Sequence, residues 1–124
     1  MRLSTLIIVL VIVVGGIAFA WKEGYFGKAQ EAASNSFSVH YSKGQSLYLT
    51  AKYEGAIPEF QRALELDPKD PEAPTALARV GDCYKELKQY SKAVEMYDRV
   101  LNEYPDYKMR PMVEQSREKI KGLY

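Results

Sequence analysis

The sequence predicts an all-α fold in which one N-terminal transmembrane helix precedes a short solenoid of helical hairpins. Two observations lead to this prediction. Residues 3–20 carry no charged side chain, and the rest of the chain matches itself at an offset of 37 residues, with apolar residues at helical spacing. Outside the apolar run, about a hundred of the 124 residues remain, the usual size of one small domain. This length argues against a large multidomain enzyme.

The N-terminal run from Leu3 to Ala20 has the length of a membrane-spanning helix. Eighteen helical residues measure roughly 27 Å, enough to cross most of a bilayer core of about 30 Å. We therefore predict a transmembrane anchor over residues 1–21, in contact with lipid through residues 3–20, and a juxtamembrane linker over residues 22–36. Gly16 and Ala20 lie four residues apart and would suit close contact with another membrane helix.

A cleaved secretory signal is the alternative interpretation of the same run. Its start is positively charged at Arg2, and Ala18, Phe19 and Ala20 form a small-residue cleavage pattern. The anchor is favoured because the run exceeds the usual apolar core of a signal peptide, about 7 to 15 residues. Both interpretations place the following domain on the exported side. For the anchor, we predict a single-pass inner-membrane protein with a cytoplasmic N-terminus.

The soluble part contains two copies of one pattern. Within each copy the apolar residues recur every three or four positions, which is one stripe of an amphipathic helix. A polar turn precedes each stripe, near Thr50–Ala51 and Lys88–Gln89, and a proline ends it. Each copy is therefore predicted to be a helical hairpin. The coinciding pairs are Gly44 with Gly81, Tyr53 with Tyr90, Ala56 with Ala93, Phe60 with Tyr97, Ala63 with Val100, Leu64 with Leu101, and Pro68 with Pro105.

These residues resemble the tetratricopeptide repeat (TPR) family. The second copy carries the family signature most fully, at Leu77, Gly81, Tyr84, Tyr90, Ala93, Tyr97, Val100 and Pro105. The first copy is regular from Tyr53 to Pro68 but looser before it, where His40 stands in place of a large apolar residue. The resemblance implies two repeats, over residues 37–70 and 74–107.

Two helix boundaries can be predicted from local residues. Asp70 followed by Pro71 is typical of a helix N-cap and first helical position, which would begin the second hairpin there. Pro111 similarly starts a helix within residues 108–124. That helix would cap the solenoid with one inward side, formed by Val113, Ser116, Ile120 and Leu123.

In TPR proteins the first helix of each hairpin lines a concave binding face, and the resemblance implies the same role here. The positions that it assigns to partner binding are Ser38, Tyr41, Gln45, Tyr48, Leu49, Thr75, Ala78, Asp82, Lys85 and Glu86. Some family members clamp a C-terminal carboxylate with lysine, asparagine and arginine, but Tyr41, Gln45, Ala78 and Asp82 occupy those places. Tyr41, Tyr48 and Leu49 would form an apolar patch that anchors a partner. Alternatively, they pack on the backward extension of the first helix or on the membrane-proximal segment.

Other residue types give no sign of catalysis. His40 has no second metal ligand in helical register, and Cys83 has no activating base nearby. Phosphate-binding loops and nucleophile elbows are missing from the sequence. With 17 basic and 16 acidic residues, the chain has no overall attraction for nucleic acid. We expect no catalytic, cofactor or metal site, and neither a nucleic acid nor a small-molecule substrate as partner.

The predicted function is that of a membrane-tethered adaptor or scaffold, an accessory or assembly subunit of a larger membrane or envelope complex. Two alternatives stay open. One is a structural subunit that self-associates through repeat stacking and the face of Gly16 and Ala20. The other is a soluble periplasmic repeat module released by signal cleavage.

Overall fold

Five helices follow one another in the computed structural model, which describes residues 33–124. They are α1 (Phe37–Leu49), α2 (Tyr53–Leu66), α3 (Ala73–Glu86), α4 (Tyr90–Glu103) and α5 (Arg110–Lys121). No strand occurs among these described residues, which confirms the all-α prediction for them. Ser36–Tyr124 forms one compact unit, and a second unit, Met1–Asn35, is described only at residues 33–35.

The predicted transmembrane helix, with Gly16 and Ala20, lies outside the described residues. Within residues 33–124, no helix combines the length and the apolar character that a membrane crossing requires. The described residues therefore test the predicted helical repeats.

Both hairpins reverse direction through the same turn. Ala51 and Lys88, 37 residues apart, have left-handed backbones with φ of 58° and 60°. The turns also share a hydrogen bond of 2.8 Å, donated by Lys52 N to Leu47 O in one and by Gln89 N to Tyr84 O in the other. Because non-glycine residues seldom adopt positive φ, the same conformation at matching positions confirms the internal repeat.

In each hairpin a glycine of the first helix lies directly against an aromatic ring of the second. A Cβ atom placed on Gly44 would lie 2.8 Å from Phe60 Cδ1, and one placed on Gly81 would lie 2.7 Å from Tyr97 Cε1. Both rings are almost fully buried, with exposed fractions of 0% and 1%. Close approach of the ring, rather than backbone conformation, therefore requires glycine at these two positions.

The remaining residues of the repeat pattern divide by burial. Ala56, Ala63, Leu77, Ala93 and Val100 are buried, Tyr53, Tyr84 and Tyr90 are half-buried, and Pro68 and Pro105 lie exposed in the loops after α2 and α4. The two hairpins share a core, because one buried cluster contains Phe60 and Ala63 of α2 together with Val80 and Cys83 of α3. The residues that pack against both this cluster and the cluster of α3, α4 and α5 are Leu64, Tyr84, Met96 and Tyr104. Burial of apolar surface across this boundary joins the repeats into one domain.

Helix α5 packs on α4 as a third, unpaired first helix. Val113 and Ile120 are each 4% exposed, and Arg110 Nη1 donates a hydrogen bond of 2.9 Å to Leu101 O. The prediction that Leu123 belongs to the inward side is wrong, because α5 ends at Lys121 and Leu123 is 59% exposed.

The predicted start of the second hairpin at Asp70 is also too early. Asp70 Oδ1 accepts a hydrogen bond of 2.8 Å from Glu72 N and so closes a turn of the loop. Helix α3 begins three residues later, at Ala73, with Pro74 in its first turn. The Asp70 side-chain oxygen therefore stabilises a turn in the loop between α2 and α3, a common role of aspartate, instead of capping the helix.

Candidate functional site

A groove of about 100 Å³ lies between α3 and α5, and we call it the α3–α5 groove. Its lining residues come from the two helices, from α4 and from the loop before α5: Thr75, Ala78, Arg79, Asp82, Tyr97, Tyr107, Met109, Met112, Val113 and Ser116. Apolar side chains and a charged pair thus meet at one surface, a combination typical of binding sites that fix both affinity and orientation.

Two methionines give the groove its exposed apolar surface. Met109 is 45% exposed and Met112 is 58% exposed. Methionine side chains are unbranched and polarizable, so they can adapt to different apolar groups of a partner. The family resemblance assigns no binding role to either methionine. Extending the offset of 37 once more from Thr75 leads to Met112, so the repeat register was a usable signal.

A network of polar side chains, which we call the Asp82 network, joins α1, α3 and α4 beside the groove. Tyr97 OH donates a hydrogen bond of 2.6 Å to Asp82 Oδ1, and Arg79 Nη1 donates one of 3.3 Å to Asp82 Oδ2. The Arg79 guanidinium lies 4.7 Å from the centroid of the Tyr48 ring, a cation–π contact. Asp82 therefore accepts hydrogen bonds from Tyr97 of α4 and Arg79 of α3, and it holds the Arg79 guanidinium against the Tyr48 ring of α1.

Burial, followed by the negative charge of Asp82, raises the pKa of Tyr97 far above its usual value. The hydroxyl consequently remains a donor throughout the physiological range. Arg79 is not among the sequence-predicted residues, because the family resemblance assigns neither it nor its counterpart in the first repeat, Ser42, to the binding face. No sequence pattern links Arg79 to Tyr48, since their contact depends on the packing of the two hairpins.

The sequence-predicted tyrosines of α1 are half-buried within the domain. Tyr41 stacks on Phe37 with ring centroids 5.5 Å apart, and its hydroxyl donates to Glu72 Oε2 at 3.2 Å. Tyr48 meets the ring of Tyr53 edge to face at 5.7 Å. Leu49, by contrast, is 80% exposed. The three residues of the predicted patch therefore lie in different environments.

The other predicted partner-binding residues are distributed over both first helices. Gln45 Nε2 donates to Tyr41 OH at 3.3 Å. Ala78 is 9% exposed and contributes to the lining of the groove, where Asp82 also lies. Lys85 is half-exposed in the last turn of α3. Ala78 and Asp82 are thus brought together at the groove.

Titratable residues elsewhere stabilise the packing of helices. Glu59 of α2 contacts both His40 Nδ1 at 2.7 Å and Lys43 Nζ at 3.0 Å, which links α2 to α1. The hydrogen bond to His40 is the largest influence that lowers the pKa of Glu59. Cys83 is fully buried, and burial raises its thiol pKa to about 12. Residues 33–124 contain no cluster of three potential metal ligands.

Comparison with known families agrees with this architecture. Two family models, each described as tetratricopeptide repeat, match the chain over residues 47–110 and 21–71. The first match alone covers more than half of the 124 residues and extends from the end of α1 to the start of α5. A search of curated proteins gives no match. The chain belongs to the tetratricopeptide repeat family.

Proposed function

We propose that the chain is a membrane-tethered adaptor that binds a protein partner in the α3–α5 groove. TPR repeats generally mediate protein–protein interaction. In this proposal the chain serves as an accessory or assembly subunit of a larger membrane or envelope complex. The observation that carries the proposal is the exposure of Met112 beside the Arg79–Asp82 pair.

The groove combines features that make a small surface bind selectively. Met109 and Met112 offer apolar area that a partner side chain can cover. Arg79 and Asp82 are half-buried and restrained by Tyr48 and Tyr97, so little side-chain entropy remains to be lost on binding. An apolar anchor next to a pre-organised charged pair favours a partner segment that presents both an apolar and a polar group.

The tether rests on the sequence of the N-terminal run. Residues 3–20 are long enough and apolar enough to span a bilayer, and Gly16 with Ala20 would give that helix a second contact with a membrane partner. The positive charge of Arg2 ahead of the run favours a cytoplasmic N-terminus. The repeat domain would then stand on the exported side, where the groove can receive an envelope protein.

Self-association through continued stacking is a weaker alternative. A repeat array extends through an apolar outer face, whereas a capping helix presents a polar one. Outside the α3–α5 groove, most exposed positions of α5 are charged or polar: Glu114, Gln115, Glu118, Lys119 and Lys121. This composition favours an array that ends at α5. Release as a soluble module after signal cleavage would keep the groove but lose the tether.

A matched pair of variants tests the groove. Met112 and Leu123 are equally exposed, at 58% and 59%, but only Met112 lines the groove. We expect Met112→Glu to lose the partner that co-purifies with the full-length chain from its own membrane, and Leu123→Glu to retain it. Equal retention by both variants, or extraction of the wild-type chain only as a free monomer, would contradict the proposal.

The tether has its own direct test, the intact mass of the chain recovered from the membrane fraction. Retention of the anchor predicts the full mass of 14.1 kDa. A chain that begins at Trp21 would show that the run is a cleaved signal. That outcome would remove the tether from the proposal and leave the groove in place.

A further inference from the structure

The two loops that connect the helical hairpins form a second concavity, which we call the loop cleft. This solvent-open cleft has a volume of about 980 Å³ and is lined by residues 68–72 and 103–109, with Pro74 and Thr75 of α3. Tyr104 OH donates a hydrogen bond of 2.8 Å to Pro68 O, so the second loop is fastened to the first. The cleft is therefore held open by loops that are fixed to each other rather than independently placed.

The loop cleft and the α3–α5 groove adjoin each other at a hydrogen bond between two residues that line both. Thr75 Oγ1 and Tyr107 OH lie 3.1 Å apart, and both residues line the two concavities, as Met109 does. Tyr104 and Tyr107 are thus each held at their hydroxyl ends, and their rings present apolar surface to the cleft. Four prolines, Pro68, Pro71, Pro74 and Pro105, add to this apolar lining, and the three that lie in the loops, Pro68, Pro71 and Pro105, restrict the loop backbone.

The charged residues around the cleft are predominantly acidic. Two lysines face four carboxylates, a formal balance of −2 in a chain whose total charge is +1. The lysines are Lys69 and Lys108, and the carboxylates are Asp70, Glu72, Glu103 and Asp106. Glu103 is paired with Arg99 on α4, whereas Glu72 and Asp70 accept hydrogen bonds from uncharged donors, the Tyr41 hydroxyl and the Glu72 amide. Asp70 and Asp106 lie one in each loop and supply the rim charges of the proposal.

Helix dipoles do not reverse this balance. Helices α2 and α4 end at this edge of the solenoid, whereas α3 and α5 begin there. The partial charges at helix ends are negative at the C-terminus and positive at the N-terminus, so the contributions of the four helices offset one another. Side-chain charge therefore determines the preference of the cleft.

We propose that the loop cleft binds an extended segment of a partner protein in which a lysine or arginine adjoins an apolar side chain. The apolar side chain covers the Tyr104 and Tyr107 rings, and the cation faces Asp70 and Asp106. This inference rests on the proposed function only in taking the partner to be a protein. Because the loops are already fixed by Pro68 and Thr75, the cleft needs little ordering when it binds.

Labelled synthetic peptides test the proposal by fluorescence anisotropy with the full-length chain in mild detergent. The probe is acetyl-Gly-Pro-Leu-Lys-Pro-Leu-Lys-Gly-amide, which prolines keep extended, with versions that carry glutamine or glutamate in place of both lysines. We expect the lysine peptide to bind at least about fivefold more tightly than the glutamine peptide, with an affinity that falls as salt is added.

Charge-neutralising variants locate the binding site. The double variant Asp70→Asn/Asp106→Asn keeps a side-chain acceptor for Glu72 N and should weaken binding of the lysine peptide about threefold to tenfold. Glu54→Gln/Glu95→Gln removes two exposed carboxylates that do not line the cleft and should leave binding unchanged. Equal affinity for the lysine and glutamate peptides, no binding by roughly 1 mM, or an unaffected Asp70/Asp106 variant would overturn the proposal.

Met112→Glu distinguishes the loop cleft from the groove. Met112 lines only the groove, so this variant should bind the lysine peptide as the wild type does. Loss of peptide binding in Met112→Glu would place the peptide in the groove and overturn the inference. Failure of the peptide experiment would leave the co-purification result for the groove unaffected, because the two tests use different residues and different ligands.

Discussion

Tyr97 of α4 donates a hydrogen bond of 2.6 Å to Asp82 of α3. In the first repeat, 37 residues earlier, the same two positions hold Phe60 and Gln45. Both aromatic rings lie against a glycine and are buried. The second repeat therefore adds a charged acceptor to an otherwise equivalent apolar contact, and that acceptor also holds Arg79 at the groove.

Removing the Tyr97 hydroxyl should destabilise the domain. We expect Tyr97→Phe to lower the free energy of unfolding by about 1–2 kcal/mol, because a hydrogen bond to a charged acceptor is lost while Asp82 keeps Arg79. Urea unfolding of the full-length chain, followed by circular dichroism at 222 nm, measures the change. In an Asp82→Asn background the same substitution should cost less, and equal costs in both backgrounds would contradict the coupling.

Alanine at Gly81 should be destabilising although alanine favours helices. Its Cβ would lie 2.7 Å from Tyr97 Cε1, and overpacking of this kind costs about 1–3 kcal/mol. Gly122 is the control, since a Cβ there meets no heavy atom within 4 Å. The midpoints of thermal unfolding should fall for Gly81→Ala and stay the same or rise for Gly122→Ala. A stable Gly81→Ala variant would show that the ring can move aside.

Phe60→Ala should threaten the fold of so short a repeat array. The ring is fully buried, and truncation of a buried phenylalanine costs about 3–5 kcal/mol, a large share of the stability of a small domain. Leu49→Ala, at a position that is 80% exposed, should change stability by less than about 0.5 kcal/mol. A circular-dichroism melt that Phe60→Ala leaves unchanged would be incompatible with the repeat core.

Glu59 should make stability depend on pH in the acidic range. Its pKa in the folded state is lowered by the hydrogen bond to His40 and by Lys43, so the unfolded chain binds a proton more readily. The stabilisation is complete above the ordinary value of 4.5 and is lost as the pH falls through the lowered folded-state value. We expect Glu59→Gln to be less stable than the wild type at pH 7, with the difference shrinking toward pH 3. A difference that does not vary with pH would contradict this linkage.

Cys83 should resist thiol reagents while the domain is folded. Burial, with a smaller contribution from Asp82, raises its pKa from 9.0 to about 12. Because the thiolate is the reactive species, the shift alone lowers the reactive fraction at pH 8 roughly a thousandfold. Ellman's reagent should react slowly with the native chain and rapidly in urea. Fast reaction without denaturant would show that the buried cluster around Cys83 opens readily in the folded domain.

The repeat offset predicts much of this structure, because one register specifies several physical requirements at once. It identifies the turns at Ala51 and Lys88 and the glycine beneath each aromatic ring. The exact residue at which a helix starts is harder to predict from the sequence, because Asp70 can cap a helix or close a loop turn with the same side-chain oxygen. Local residues alone do not distinguish these two uses.

The candidate sites are predicted less completely than the hairpins. Asp82 and Ala78 were assigned to the binding face, and both line the α3–α5 groove. Arg79 was missed because its contact with Tyr48 arises only when the hairpins pack. The loop cleft was missed for a similar reason: Tyr104 and Pro68 lie 36 residues apart, and their hydrogen bond depends on how successive loops stack.

Site-specific photo-cross-linking in intact cells tests most directly the claim that the α3–α5 groove binds a protein partner. The photoreactive residue p-benzoylphenylalanine would replace Met112 in the groove or Leu123 outside it, two positions of nearly equal exposure. We expect one discrete cross-linked protein from the Met112 position, absent from the Leu123 position and abolished by Asp82→Lys in the same chain. Equal cross-linking from both positions, or none from Met112, would contradict a partner-binding groove between α3 and α5.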